Sequence, residues 1–209
     1  MNRMTAGALR ATALGLAAAA TLGACAPLLV GGVIVGGSIV ATDRRTSGAQ
    51  LEDEVIEVKA SNRVREALGE RGQVNVTSYN RIVLITGDVA DAADKATVEQ
   101  AVGRVENVQS IVNELAIGFP RSVGNRSNDA FITTKVKASF IDAKDLFSNS
   151  IKVTTSQGVV YLMGRVTERE ATRSAEVARG VSGVQKVVRV FEIVSEGELA
   201  NTAPKTPPP

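Results

Sequence analysis

Side chains able to make or break covalent bonds are scarce in this chain. It has no histidine and a single cysteine, Cys25, which removes every Ser-His-Asp and Cys-His nucleophile arrangement and most zinc sites. It has no Gly-x-x-x-x-Gly-Lys phosphate loop, no paired Cys-x-x-Cys and no ligand residues at metal spacing. No enzymatic activity, cofactor or metal is therefore expected. The acids of Thr167-Glu168-Arg169-Glu170 could suggest acid–base chemistry, but their spacing is that of a capping box, in which Thr and Glu each satisfy an orphan backbone donor at a helix start. A nucleic-acid partner is not expected either. The net charge is only +2 and aromatics are 3% of the chain, too few rings for base stacking.

The chemistry that remains is non-covalent, and it concentrates in Ser127-Asn128-Asp129-Ala130-Phe131-Ile132-Thr133-Thr134-Lys135-Val136-Lys137-Ala138-Ser139-Phe140. Ile132, Val136 and Phe140 recur at i, i+4 and i+8 and should face a core. Phe131 and Lys135 share a neighbouring stripe about 100° away, with Arg126 just upstream. An apolar ring flanked by cations is how a helix docks on an anionic lipid surface: the ring enters the acyl boundary, and each nearby cation contributes about 1 kcal/mol. The same pattern also suits a Phe131 packed at the edge of the core with solvated lysines.

Cys25 has its own context. Arg3 and Arg10 precede an alanine-rich apolar run, which ends in Leu22-Gly23-Ala24-Cys25. A basic start, a short apolar stretch and small residues before a cut are the layout of a secretory signal. The last four residues resemble the bacterial lipobox, whose cysteine is acylated and becomes the new N-terminus. Ala26 stands where lipoproteins retained at the inner membrane usually carry aspartate, so this resemblance points to the outer membrane, where the anchored chain is expected on the periplasmic side. Residues 26–41 form a second apolar, glycine-rich run, shorter than the ~20 residues a spanning helix needs, and read as a tether. Residues 42–50 read as a polar linker.

The elements that must position the site come in two copies. The hairpin pattern of residues 74–89 returns at 151–166, pairing Val76 with Val153, Thr77 with Thr154, Val83 with Val160, Gly87 with Gly164 and Val89 with Val166. Residues 105–112 echo 181–188 in the same way. Such self-similarity marks a duplicated domain. In the first copy, residues 52–68 carry Val55/Ile56, Ala60, Val64 and Leu68 at helical spacing. Residues 91–104 read as a second helix and 105–116 as a strand, parallel to its predecessor by a right-handed crossover. The second copy repeats the plan with helices at 129–143 and 168–180 and a strand at 184–194. The expected class is α+β: two two-layer sandwiches, each with two helices on a small three-stranded mixed sheet. Boundaries fall at 1–24 for the signal, 25–50 for the acylated cysteine and tether, and 51–118 for the first domain. A linker at 119–125, the second domain at 126–194 and a disordered tail at 195–209 complete the chain.

Two further features bear on partners. Residues 51–118 hold seven bases against twelve acids, whereas 126–194 hold eleven bases against seven acids. The second copy therefore favours anionic partners, although divergence of solvated faces gives the same asymmetry. The strand segments 82–85 and 159–163 are apolar without alternation, which means cover on both faces. The free sheet faces are expected to meet each other or another molecule.

The paired Val-x-Val-Thr…Val-x-Leu-x-Gly-x-Val hairpins and Val-x-x-Val-Gln-x-Val/Ile-Val strands resemble BON domains. With the lipobox, Ala41-Thr42-Asp43-Arg44-Arg45 and Ser127-Asn128-Asp129…Ile132-Thr133-Thr134-Lys135-Val136, the chain resembles the dual BON-domain outer-membrane lipoproteins of Gram-negative bacteria from its signal to about Val194. That resemblance implies a non-enzymatic role in keeping the outer membrane intact, with acylated Cys25 as anchor. It also implies that the second BON domain binds anionic phospholipids such as phosphatidylglycerol and cardiolipin. The implied contact surface maps onto residues 124–137 and includes Gly124, Asn125, Arg126, Phe131, Ile132, Lys135 and Lys137. A familiar member carries tryptophan at the ring position, and Phe131 lacks the indole N–H that favours the interface, so weaker or deeper insertion is expected. The alternative is a lipid-anchored periplasmic protein–protein adaptor that assists the assembly of other envelope proteins through its apolar sheet faces, with the outer-membrane assembly machinery as a candidate partner.

Overall fold

The computed structural model describes residues 43–118 and 123–202. The expected signal, Cys25, most of the expected tether and linker before residue 43, residues 119–122 of the expected second linker and residues 203–209 lie outside the described residues. Helix α1 spans Ser47–Leu68 and is followed by strands β1, Gly72–Tyr79, and β2, Ile82–Val89. Helix α2, Ala92–Gly103, and strand β3, Ser110–Ile117, complete the first half. The second half repeats the order: α3, Val123–Asp142; β4, Lys152–Ser156; β5, Val159–Val166; α4, Glu168–Arg179; and β6, Lys186–Ile193. A short helix α5, Glu196–Thr202, follows. Each sheet has its hairpin antiparallel and its last strand parallel to the middle one, in the orders β1-β2-β3 and β4-β5-β6.

In three segments a helix reaches beyond the sequence-based expectation, and in two of them a polar side chain caps the added turn. α1 begins inside the expected polar linker, because Thr46 caps it by accepting the Ala49 N–H at 3.1 Å. α3 begins at Val123, so Gly124 and Asn125 belong to its first turn rather than to a linker. α5 occupies the start of the expected disordered tail, where Ser195 and Glu198 exchange hydrogen bonds as a capping box. Within α1, Ile56, Ala60, Val64 and Leu68 are buried as the spacing predicts, whereas Val55 is exposed.

The unbroken apolar strands have a simple account. In β2, Val83 and Ile85 face their own helices, while Ile82 and Leu84 face the other way. In β5, Val160 and Leu162 face α3 and α4, while Val159, Tyr161 and Met163 face away. The outward sets meet in one cluster with Tyr79, Val112, Val188 and Val190. The two sheets are packed face to face, so both faces of each middle strand are covered.

Polar contacts cross the same boundary. Lys152 pairs with Glu57 at 2.7 Å, Asn80 donates to Glu192, and Gln157 donates to Asp88 at 2.7 Å. Arg44 and Arg45 pin one half each. Arg44 donates two 2.7 Å hydrogen bonds to the buried Glu170 carboxylate and a third to the Arg165 carbonyl. Arg45 pairs with Asp43 and Asp53 and lies 4.1 Å over the Tyr79 ring. Burial pushes the Glu170 carboxyl up, but Arg44 and the Thr167 N–H outweigh it and hold the group below the usual carboxylate range.

Candidate functional site

The site is built on α3, and buried polar contacts fix that helix. Asp129, in its second turn, accepts the N–H groups of Gln157 and Gly158 at 3.0 and 2.9 Å. Those two residues form the β4–β5 turn with positive φ at both positions, the geometry of a two-residue type I′ hairpin. Thr133 hydrogen-bonds Thr155 of β4 at 2.7 Å. Ile132, Val136 and Phe140 fill the core between α3, the sheet and α4. What α3 shows to solvent is therefore held on a rigid support.

Phe131 is 61% exposed. Its ring lies 4.9 Å beneath the Lys135 ammonium, a cation–π contact, and Lys135 also donates to the Ser182 carbonyl. Lys135 is thus half-buried rather than free in solvent. Gly124, Asn125, Arg126 and Lys137 are exposed, but they do not all gather round the ring. At about 100° per residue, Arg126 and Lys137 lie about 140° and 120° round the helix from Phe131. Arg126 rims a cleft of about 460 Å³ between the two halves, with Asp88 and Asp129 among its lining residues. Lys137 rims another cleft, at the far end of α3. The ring accordingly has Lys135 on its near flank and the other two cations farther round on the opposite flank.

Ile132 corrects the expected contact surface. It is 1% exposed and packs into the core, because one residue of helix turns a side chain by about 100°. It supports the site from beneath and does not reach a ligand. Spacing did not single out Ile141 and Phe147, which are 71% and 60% exposed. For Ile141 the signal was available, since it falls just past the Ile132–Val136–Phe140 stripe.

Among the described residues, no group of three His, Cys, Asp or Glu side chains could hold a metal ion. No helix among them is long and apolar enough to cross a membrane.

Comparison with known proteins adds an independent line. The chain is 36% identical over 192 residues to Outer membrane lipoprotein DolP of Haemophilus influenzae, covering 90% of this chain and 98% of that protein. It is 35% identical over 154 residues to the 21 kDa hemolysin of Actinobacillus pleuropneumoniae, covering 73% and 79%. Osmotically-inducible protein Y of Escherichia coli K12 matches at 35% over 111 residues, half of each chain. The BON domain model matches residues 52–118 and again 128–195. These are the two halves that the repeat and the paired sheets delimit, and the chain belongs to the BON-domain family, with two copies in tandem.

Proposed function

We propose that this protein is a non-enzymatic lipoprotein of the bacterial envelope, anchored at the periplasmic face of the outer membrane by acylated Cys25. Its second BON domain docks on anionic phospholipid through α3, and the docked protein supports the integrity of that membrane. The observation that carries the reading is Phe131, a large ring 61% exposed on a helix whose core stripe is already filled. An isolated exposed aromatic is unremarkable; a ring seated under Lys135 in the half of the chain with excess basic residues has the composition of an interfacial anchor. The relative named an outer membrane lipoprotein covers 90% of the chain and supports the location. The sheet faces that an adaptor would use are buried against each other, which favours the helix as the contact surface.

The test is a titration of the chain from residue 42 onward with vesicles containing or lacking phosphatidylglycerol. Binding should require the anionic lipid and fall about tenfold or more in Phe131→Ala and in Lys135→Glu. Binding indifferent to both substitutions would refute the reading.

A further inference from the structure

We propose that Ile141 and Phe147, with Lys137 and Lys144 beside them, form a second membrane-contact point that docks on the same anionic bilayer as Phe131. The proposal rests on the reading of α3 as a lipid-docking helix and adds the far end of that helix, and the loop after it, to the contact surface.

Geometry supplies the first argument. Ile141 lies ten residues beyond Phe131 on one continuous helix, hence about 15 Å along the axis and about 80° round it. The direction opposite the Ile132–Val136–Phe140 stripe falls midway between them, so each points within about 40° of straight outward. A flat surface laid along the outer face of α3 meets both. Phe147, just past the buried Leu146, extends the apolar surface beyond the helix end. Lys137 and Lys144 are exposed beside the pair. Of the acids nearby, Asp43 holds Arg45 and Asp145 holds Arg173, and Asp142 is exposed. Apolar side chains set among lysines suit the boundary between anionic headgroups and acyl chains.

The second argument is where the chain goes. Asp43 and Gln50 line a cleft of about 330 Å³ together with Lys137, Ile141 and Ser148. Arg44 lies 5.3 Å over the Phe147 ring and is held there by Glu170. The described chain therefore begins at this surface. Cys25 precedes Asp43 by 18 residues, at most about 65 Å of extended chain. An acyl anchor on so short a lead keeps Ile141 and Phe147 at high effective concentration next to the bilayer.

The chain has no tryptophan, so single tryptophans report cleanly. Full-length acylated protein carrying Phe131→Trp, Ile141→Trp or Phe147→Trp would be placed in vesicles of brominated phosphatidylcholine with a minority of phosphatidylglycerol. Val58→Trp, at an exposed position in the acidic first domain, is the control. The expected result is blue-shifted emission and strong bromine quenching at 131, 141 and 147 but not at 58, weakening when phosphatidylglycerol is omitted. Quenching at 131 with 141 and 147 behaving like 58 overturns this proposal and leaves lipid docking by α3 intact. Equal quenching of 141 and 147 without phosphatidylglycerol overturns the anionic specificity. Quenching at none of the three overturns the lipid-docking reading as well.

Discussion

At the scale of single residues, two aspartates do the same work in the two halves. Asp53, in α1, accepts hydrogen bonds from the Asn80 and Arg81 N–H groups, the Ser78 hydroxyl and Arg45, as Asp129 accepts those of Gln157 and Gly158. All four turn residues have positive φ, which costs free energy for the three that are not glycine, and the carboxylates offset that cost. Replacing Asp129 with alanine leaves two turn N–H groups without their charged acceptor and should destabilise the protein by about 3 kcal/mol, measurable by urea unfolding. Burial pushes the Asp53 carboxyl up, but the Arg81 N–H, the Ser78 hydroxyl, Arg45 and the Asn80 N–H together bring it below the usual range. A carboxyl depressed in the folded state contributes stability above its unfolded pKa of about 3.9 and loses it as pH falls through the folded value. The stability gap between the native chain and Asp53→Asn should therefore be largest near neutrality and shrink below about pH 4. A gap independent of pH would show that the ionised form contributes nothing.

At the scale of elements, the repeated glycine of each hairpin has a steric cause. A Cβ on Gly87 would collide with the Gln73 backbone carbonyl across the β1–β2 pair, and one on Gly164 would collide with the Ser150 carbonyl. Gly87 also has φ 126°. Neither clash is relieved by rotating a side chain, so Gly87→Ala and Gly164→Ala should each lower the unfolding midpoint far more than Gly48→Ala, where there is open space apart from the Thr46 hydroxyl. The capping box of α4 has a different sensitivity. Thr167 and Glu170 exchange hydrogen bonds, and Thr167→Ala should cost about 1 kcal/mol. Glu170→Ala should cost more, because it also strands Arg44. A thermal melt ranking Glu170→Ala no lower than Thr167→Ala would argue against the Arg44 pin.

At the scale of the whole molecule, the face-to-face sheets make the halves interdependent. Each half made alone would expose Leu84 with Tyr79, or Tyr161 with Met163, all of them buried in the intact protein. Isolated halves should bind a hydrophobic dye strongly, and the full chain should bind it weakly. Leu84→Asp, which buries a charge between the sheets, should loosen the pair and raise dye binding in the intact chain. Dye-silent halves would mean that these faces find other cover.

The division between what was legible in the sequence and what was not follows from the range of each signal. The duplicated plan, the hairpins, the capping box and the core stripe of α3 could be read directly, because helix and strand periods are set by local backbone geometry and recur at fixed spacing. Cover on both sides of the middle strands was legible as unbroken apolar runs; that each sheet is the other's cover was decided by tertiary structure. Asp53 reaches a turn 28 residues away and Arg44 a carboxylate 126 residues away, and no spacing rule connects such pairs. The same holds for the α3 surface. Sequence separated Phe131 from Ile132 by about 100° of helix. Only the fold sent Arg126 to the cleft between the halves and placed Asp43 and Arg44 beside Ile141 and Phe147.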